Sequence, residues 1–375
     1  MKPSQHRILQ VITPSHIGGA ERHLEWLAPR LRERGHDVHI VCKDRGHVVE
    51  EFRRALGAVN LEVQALPIRG KMNPRAFLAL LRAIRCTKAD FTHSHLSTAS
   101  WLCGWLDQMG ICPSVGHVQG FTNVNWHRWQ RRLIACSQAV KEHMIAQGVR
   151  AERITVLPNP VDPINIRPRR SATVVRAEFG ADEDTPVIGS FAHLSEKKGW
   201  REFIEAIPQV LRKHPQAQFW CVGEGNLRPE LEASAQAGGF ASNVRFLGFR
   251  RDVGDIMNAV DIMALPSYRE PFGIVYVEAA LLKKPAIACA AGGAPDVVVD
   301  GLTGLLVPPR QSQALAEAIV KLLDDPAQAA SMGAVGYERA LEHFGWPSFL
   351  NQLEHVYASV LEPQNGRRNL LVKAC

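Results

Sequence analysis

The sequence predicts an α/β protein of two doubly wound domains, each a parallel sheet covered by helices. Three observations carry this expectation. Apolar strand-like runs alternate with amphipathic helical stretches from end to end. A chain of 375 residues is too long for one ordinary core. A proline-rich stretch without periodicity, "PNPVDPINIRPRR" at Pro158–Arg170, interrupts the alternation near the middle.

In the first half, "RILQVIT" reads as a strand and "GGAERHLEWLAPRLRERG" as a helix stopped by Gly35. The strand "HDVHIVC", a helical "NPRAFLALLRAIR", the strand "FTHSHL" and a helix through Trp101–Met109 follow. "SVGHVQG", "RLIACS" and "ITVLPN" close the series. After the break, "PVIGSFA", "AQFWCVG", "VRFLGF" and "DIMALPS" read as strands. The helices between them are "GWREFIEAIPQVLRKHP", "LRPELEASAQAGG" and "DVGDIMNAV". "PAIACAAGG" and "TGLLVPP" come next, and "WPSFLNQLEHVYASVL" is a final amphipathic helix. Ligands of such sheets sit at the C-terminal ends of the strands, so a cleft between the two domains is expected.

A hydrophobic share of 46% and a charged share of 22% describe a globular chain. The apolar runs are far short of a bilayer-spanning helix. The opening "MKPSQHR" lacks the apolar stretch of a secretory leader, so cytoplasmic residence is the expectation. None of the eight cysteines forms a C-x-x-C pair, so neither a disulfide framework nor a zinc site is indicated, and they read as small buried hydrophobes. Residues 1–165 hold 22 Lys and Arg against 13 Asp and Glu, while the remainder holds 22 against 24. A basic first half points to an anionic partner. No nucleic-acid-binding motif accompanies the charge, which leaves anionic lipid or an acidic glycan.

The glycine turns "HIGGAER", "SEKKGW", "VGEGN" and "AAGGAP" favour anions where they precede helices. None is a complete G-x-G-x-x-G, and no Walker lysine motif is present, which argues against a nicotinamide dehydrogenase or a P-loop enzyme. In "REPFGIVYVEAALLKKPAIACAAGG", seven residues separate Glu270 from Glu278, around a Pro–Phe–Gly opening and ahead of a glycine pair.

Taken together, these stretches resemble the retaining family 4 glycosyltransferases of the GT-B architecture, and the likeness runs almost end to end. "IGGAERHLEWLAPRLRERGHDVHIV", "THSHLS", "VLPNPVD", "VGEGNLRPELE", "VRFLGF" and the long run from "ALPSYREPFG" to "GLLVPP" occur in the family's order and spacing. The resemblance implies an N-terminal acceptor domain, 1–165, with residues 346–375 packing back on it, and a donor domain, 166–345.

It further implies that Glu270 lies beside the donor sugar and Glu278 beside the nucleotide ribose. Phe272, Gly273, Ile274 and Val275 would be the first helical residues, offering unpaired N–H groups to sugar hydroxyls and diphosphate. Lys198 would contact the leaving diphosphate. Gly18, Gly19, Gly223, Phe249 and Arg250 would line the donor site, with His95 and Glu21 on the acceptor side. Base selection would rest largely on backbone groups around Phe249 and Arg250. No metal or other cofactor is expected.

Two departures from the family stand out. "VGHVQGF" places Gln119 where the family carries a histidine, leaving His117 two residues back as a stand-in or as a packed structural histidine. His193 stands where an arginine partner of Lys198 is usual, exchanging a permanent charge for a pH-dependent one.

The expected activity is transfer of a sugar, with retention, from a UDP- or GDP-sugar to a glycan or lipid-linked acceptor in lipopolysaccharide, exopolysaccharide or glycolipid synthesis. The alternatives are a nucleotide-sugar 2-epimerase and a non-catalytic nucleotide-sugar-binding relative. "WHRWQRRL" at Trp126–Leu133 and "KMNPRAFLALLRAIR" at Lys71–Arg85 have the composition of helices lying in an anionic membrane interface, on the inner face of the cytoplasmic membrane.

Overall fold

The computed structural model describes residues 5–14, 19–44, 46–70 and 73–362. Its contacts divide the chain into two compact units, the first running to Pro158 and resuming at Leu350, the second spanning Asn159–Phe349.

The sheet of the first unit has seven strands: β1 (Arg7–Ile12), β2 (Asp37–Lys43), β3 (Val63–Leu66), β4 (Phe91–His95), β5 (Ser114–Val118), β6 (Arg132–Ala135) and β7 (Ile154–Val156). They lie in the order β3-β2-β1-β4-β5-β6-β7, every pairing parallel. All five residues of β4 and of β5 are buried, as expected of strands covered by helices on both faces. The chain winds outward in both directions from β1 and β4, so the gap between their C-terminal ends is the topological switch point where ligands of such sheets bind.

The second unit repeats the plan with β8 (Val187–Phe191), β9 (Gln218–Val222), β10 (Val244–Gly248), β11 (Ile262–Leu265), β12 (Ala286–Cys289) and β13 (Gly304–Val307), in the order β10-β9-β8-β11-β12-β13. Its switch point lies between β8 and β11. The core on one face is aromatic: Trp200 meets Phe203 edge-on at 5.9 Å, and Phe203 meets Phe219 at the same distance.

The C-terminal helix Trp346–Leu361 joins the first unit from Leu350 onward. Tyr357 is fully buried, 4.7 Å from the ring of Phe91, and Arg34 pairs with Glu354 at 3.2 Å.

Several local expectations need correction. The helix Gly46–Gly57 and the edge strand β3 lie in a stretch where no element was expected. The expected helix at Trp126–Leu133 is a 3-10 turn, Val124–Trp126, followed by turns and the start of β6. Its arginines serve the fold: Arg131 pairs with buried Asp107 at 3.1 Å and donates to the carbonyl of Val360. In the other expected interfacial segment, Lys71 and Met72 lie outside the described residues; the rest is the helix Pro74–Thr87, which buries Ala76, Leu80, Ala83 and Ile84. Cys86 is exposed on that helix, so it is not one of the buried thiols. Among the described residues no helix is long and apolar enough to cross a membrane.

Trp200 links this core to the loop that follows β8, because its indole Nε1 donates to the carbonyl of His193 at 3.1 Å. Trp200→Ala should destabilise the second unit by about 3–5 kcal/mol in urea unfolding, as a large buried ring leaves a cavity. Trp200→Phe keeps most of the ring and should cost about 1 kcal/mol for the lost hydrogen bond. Equal midpoints for the wild type and Trp200→Ala would refute this core.

Candidate active site

Two loops meet at the switch point of the second sheet. The loop after β8 carries His193 and ends in the 3-10 turn Glu196–Lys198; the loop after β11 carries Glu270. Ser267 Oγ donates to the carbonyl of Lys197 at 3.1 Å and fastens one loop to the other. Lys198 Nζ then reaches Glu270 Oε2 at 2.5 Å. Both side chains are largely shielded from solvent, with 19% and 10% of their surfaces exposed. Such a charge-assisted contact fixes both groups where the sheet topology predicts a ligand.

Glycine backbone surrounds the acid. Gly292 has φ +62, and a Cβ there would lie 2.3 Å from the carbonyl oxygen of Glu270, so no other residue can bring the two chains this close. The N–H of Gly293 donates to that same carbonyl at 2.7 Å. Gly273, with φ +95, turns the chain into the helix Ile274–Leu281 without any side-chain cap. The N–H of Tyr276 donates to the carbonyl of Gly273 at 3.0 Å, and no side chain caps those of Ile274 and Val275, which can meet an external acceptor. Phe272 and Gly273 precede the helix instead of opening it, and the buried ring of Phe272 packs 5.7 Å from Phe344. Ile274 and Val275 are its first two residues.

Glu278, one turn into this helix, is half-buried. Burial pushes its carboxyl up to about 7. The acid therefore titrates at working pH, and a donor of hydrogen bonds that reached it would favour the ionised form.

The remaining donor-side residues sit at strand ends. His193 is exposed just after β8. Gly223 follows β9, its N–H donating to the carbonyl of Gly248 at 2.9 Å. Beyond β10, Phe249 is 73% exposed, whereas Arg250 is held by Asp252 at 2.8 and 2.9 Å and does not project freely.

In the first unit, Gly18 lies outside the described residues. Gly19 opens the helix Gly19–Glu33 and Glu21 is buried in its first turn. Gln119 is half-buried just past β5. His95 and His117 are buried together with His93 and His23, two residues that the reading of the sequence passed over. Burial pushes His23 down to about 3 and the other three well below the ordinary imidazole value, so these rings are neutral near pH 7. His117 is thus a buried neutral imidazole, without the charge that a stand-in for the family histidine could carry. The i, i+2 spacing in "THSHL" was the available signal for His93.

Two tandem parallel sheets, with a lysine–glutamate pair and a second acid at the switch point of the second, define a GT-B-type α/β protein. The family described as Glycosyltransferase Family 4 matches residues 17–164, and the one described as Glycosyl transferases group 1 matches residues 172–339. The chain belongs to the family 4 glycosyltransferases. An Anabaena protein, HepE, solved in complex with UDP, superposes with a TM-score of 0.83 at 27% identity, covering 94% of this chain and 100% of that one. A Corynebacterium glutamicum relative, "GDP-mannose-dependent monoacylated alpha-(1-6)-phosphatidylinositol monomannoside mannosyltransferase", is 36% identical over 217 residues, 54% of this chain and 55% of that protein. The "D-inositol 3-phosphate glycosyltransferase" of Corynebacterium kroppenstedtii is 31% identical over 245 residues, 61% of this chain and 53% of that protein. The chain spans about half the length of these curated relatives.

The raised carboxyl of Glu278 has a measurable cost in stability. The unfolded chain ionises this group from its ordinary value of 4.5 upward, whereas the folded chain resists until about 7. Folding therefore loses stability as pH rises between those values and stays at the lower level above them. Glu278→Gln escapes that loss, so its melting temperature should exceed the wild type's more at about pH 8 than at about pH 5. A pH-independent difference would show that the carboxyl of Glu278 is not raised by folding.

Proposed function

We propose that the protein is a retaining glycosyltransferase, moving a sugar from a UDP- or GDP-sugar to a glycan or lipid-linked acceptor in cell-surface polysaccharide or glycolipid synthesis. The observation that carries this reading is the Lys198–Glu270 pair at the second switch point, followed by Glu278 in the adjoining helix. The complex of HepE with UDP and the GDP-mannose dependence in the name of the Corynebacterium relative support a nucleotide-sugar donor.

In this mechanism the donor sugar's hydroxyls meet Glu270 and the backbone of Phe272–Val275. The ribose hydroxyls donate to Glu278, and the diphosphate takes Lys198 as its counter-ion, with His193 at hand on the same loop. The bond from the anomeric carbon to phosphate breaks while the acceptor oxygen attacks from the same face. The leaving phosphate oxygen takes the acceptor's proton, so no protein nucleophile is required. Lys198 and the uncapped helix start stabilise the charge that develops on the diphosphate, work that needs no metal ion. The base is read by backbone near Gly223 and Phe249. The acceptor belongs to the N-terminal domain.

Incubation with UDP-, GDP- and ADP-sugars tests the reading. Slow release of free nucleotide with one of them is expected. An isomerised sugar would mean an epimerase, and binding without turnover a non-catalytic relative. Lys198→Met should lower turnover about 10²- to 10³-fold, the usual loss when one transition-state charge partner is removed. Nucleotide affinity should be full above about pH 7 and fall by at most about tenfold per pH unit below it, because binding the ionised Glu278 releases a proton. Glu278→Gln should bind more weakly and show a flat profile; a flat profile in the wild type removes the ribose role.

Peripheral contact with an anionic membrane is supported by one exposed stripe on the helix Pro74–Thr87, where Arg75, Leu78, Arg82 and Arg85 share a face. Flotation with anionic vesicles, lost on Arg82→Glu and Arg85→Glu together, is the expected result; equal flotation with neutral vesicles would overturn it.

A further inference from the structure

The first sheet places four polar side chains side by side beneath its switch point. Gln10 on β1 stands opposite His93 on β4, and His95, two residues further along β4, stands opposite His117 on β5. Strand alternation turns His93 and His95 to the same face. His23 covers them from the helix Gly19–Glu33, and Tyr357 from the C-terminal helix. The ring centroids of His93 and His95 are 4.5 Å apart, and that of His117 is 5.6 Å from each. One ring nitrogen from each of the three lies within 4.8 Å of the others. His93 and His95 have no exposed surface and His117 only 2%.

The hydrogen bonds of this cluster are lopsided. His93 Nδ1 lies 2.9 Å from the Tyr357 hydroxyl, while its Nε2 has no hydrogen-bond partner among the described residues. His95 Nε2 lies 2.9 Å from Gln10 Oε1, while its Nδ1 has none among the described residues. Leaving a buried nitrogen unpartnered is unfavourable, and a ligand at that nitrogen would relieve the cost. A side chain that holds one imidazole nitrogen fixes the tautomer and frees the lone pair of the other, which is how metal-binding histidines are oriented.

We propose that His93, His95 and His117 bind a divalent transition-metal ion of the zinc type. His93 donates from Nδ1 to Tyr357 and ligates through Nε2; His95 donates from Nε2 to Gln10 and ligates through Nδ1. Three neutral imidazoles suit zinc, cobalt or nickel and not magnesium or calcium, which take oxygen ligands. Zinc–nitrogen bonds of about 2.0–2.1 Å require the three nitrogens, within 4.8 Å of one another here, to close to roughly 3.4 Å. His23, whose ring is 4.8 Å from that of His117, stands beside the fourth position. The ion ties β4 to β5 and, through Tyr357, to the C-terminal helix. It takes no part in the donor chemistry proposed above, and because the site is closed to solvent the ion enters as the chain folds.

The test uses the full chain produced in zinc-supplemented medium and dialysed against metal-free buffer. About one zinc per chain is expected, as is the visible absorption of nitrogen-ligated cobalt(II) when cobalt replaces zinc during growth. His95→Asn and His117→Asn should each abolish stoichiometric retention, while His214→Asn, in the second unit, should leave it intact. Tyr357→Phe and Gln10→Leu keep all three ligands and should lower affinity about 10- to 100-fold, measured by competition with a chelating dye. Circular dichroism and urea unfolding show that each variant is folded. Retention below one-tenth of an ion per chain with no cobalt spectrum would overturn the proposal and leave a metal-free imidazole cluster. Equal loss in His214→Asn and His95→Asn would overturn it too.

Discussion

A parallel sheet covered on both faces leaves its chemistry few places to go. The strands' faces are occupied by helices, and backbone groups inside the sheet are spent on neighbouring strands. What remains are the loops past the C-terminal strand ends, and these spread apart only where the winding direction reverses. Both units obey this constraint. In the second it explains why Lys198 and Glu270, 72 positions apart in sequence, are brought to 2.5 Å: each follows one of the two strands that flank the reversal. Gly273 and Gly292 then let the neighbouring turns close in on the backbone and side-chain stem of Glu270.

The two acids of the site differ in setting. Glu270 has an ammonium partner at contact distance and lies in a loop tethered on both sides. Glu278 is raised by burial. Under the proposed function, a polyhydroxylated donor would meet one acid already paired and another held above the ordinary carboxylate range by burial. On that reading Glu278 would cost stability in the empty protein and supply affinity in the complex, as is common where function sets the environment.

Much of this was legible in the residues. Strand–helix alternation, the proline-rich break and the glycine turns are local patterns, and they located both sheets and the loop bearing the acid pair. What escaped was set by tertiary context. The edge strand "VQAL" is short and carries a polar residue, because only one side of it pairs. "WHRWQRRL" has the composition of an interfacial helix, yet Arg131 is drawn in by Asp107 and the carbonyl of Val360, and Arg132 donates to the carbonyl of Glu152. The histidines of β4 and β5 look ordinary one at a time; only the strand register brings them together.

The chain passes between the units twice, after Pro158 and again within the helix Trp346–Leu361. The sheet that is synthesised first is therefore finished by residues that emerge from the ribosome some 190 positions later, when Tyr357 comes to rest on Phe91 and His93. Until then an aromatic and imidazole surface of the nascent first unit stands open, while the second unit has all its strands and can fold within one continuous stretch. The order of synthesis and the order of completion are thus reversed, and a fragment cut at Pro158 would preserve the unfinished state.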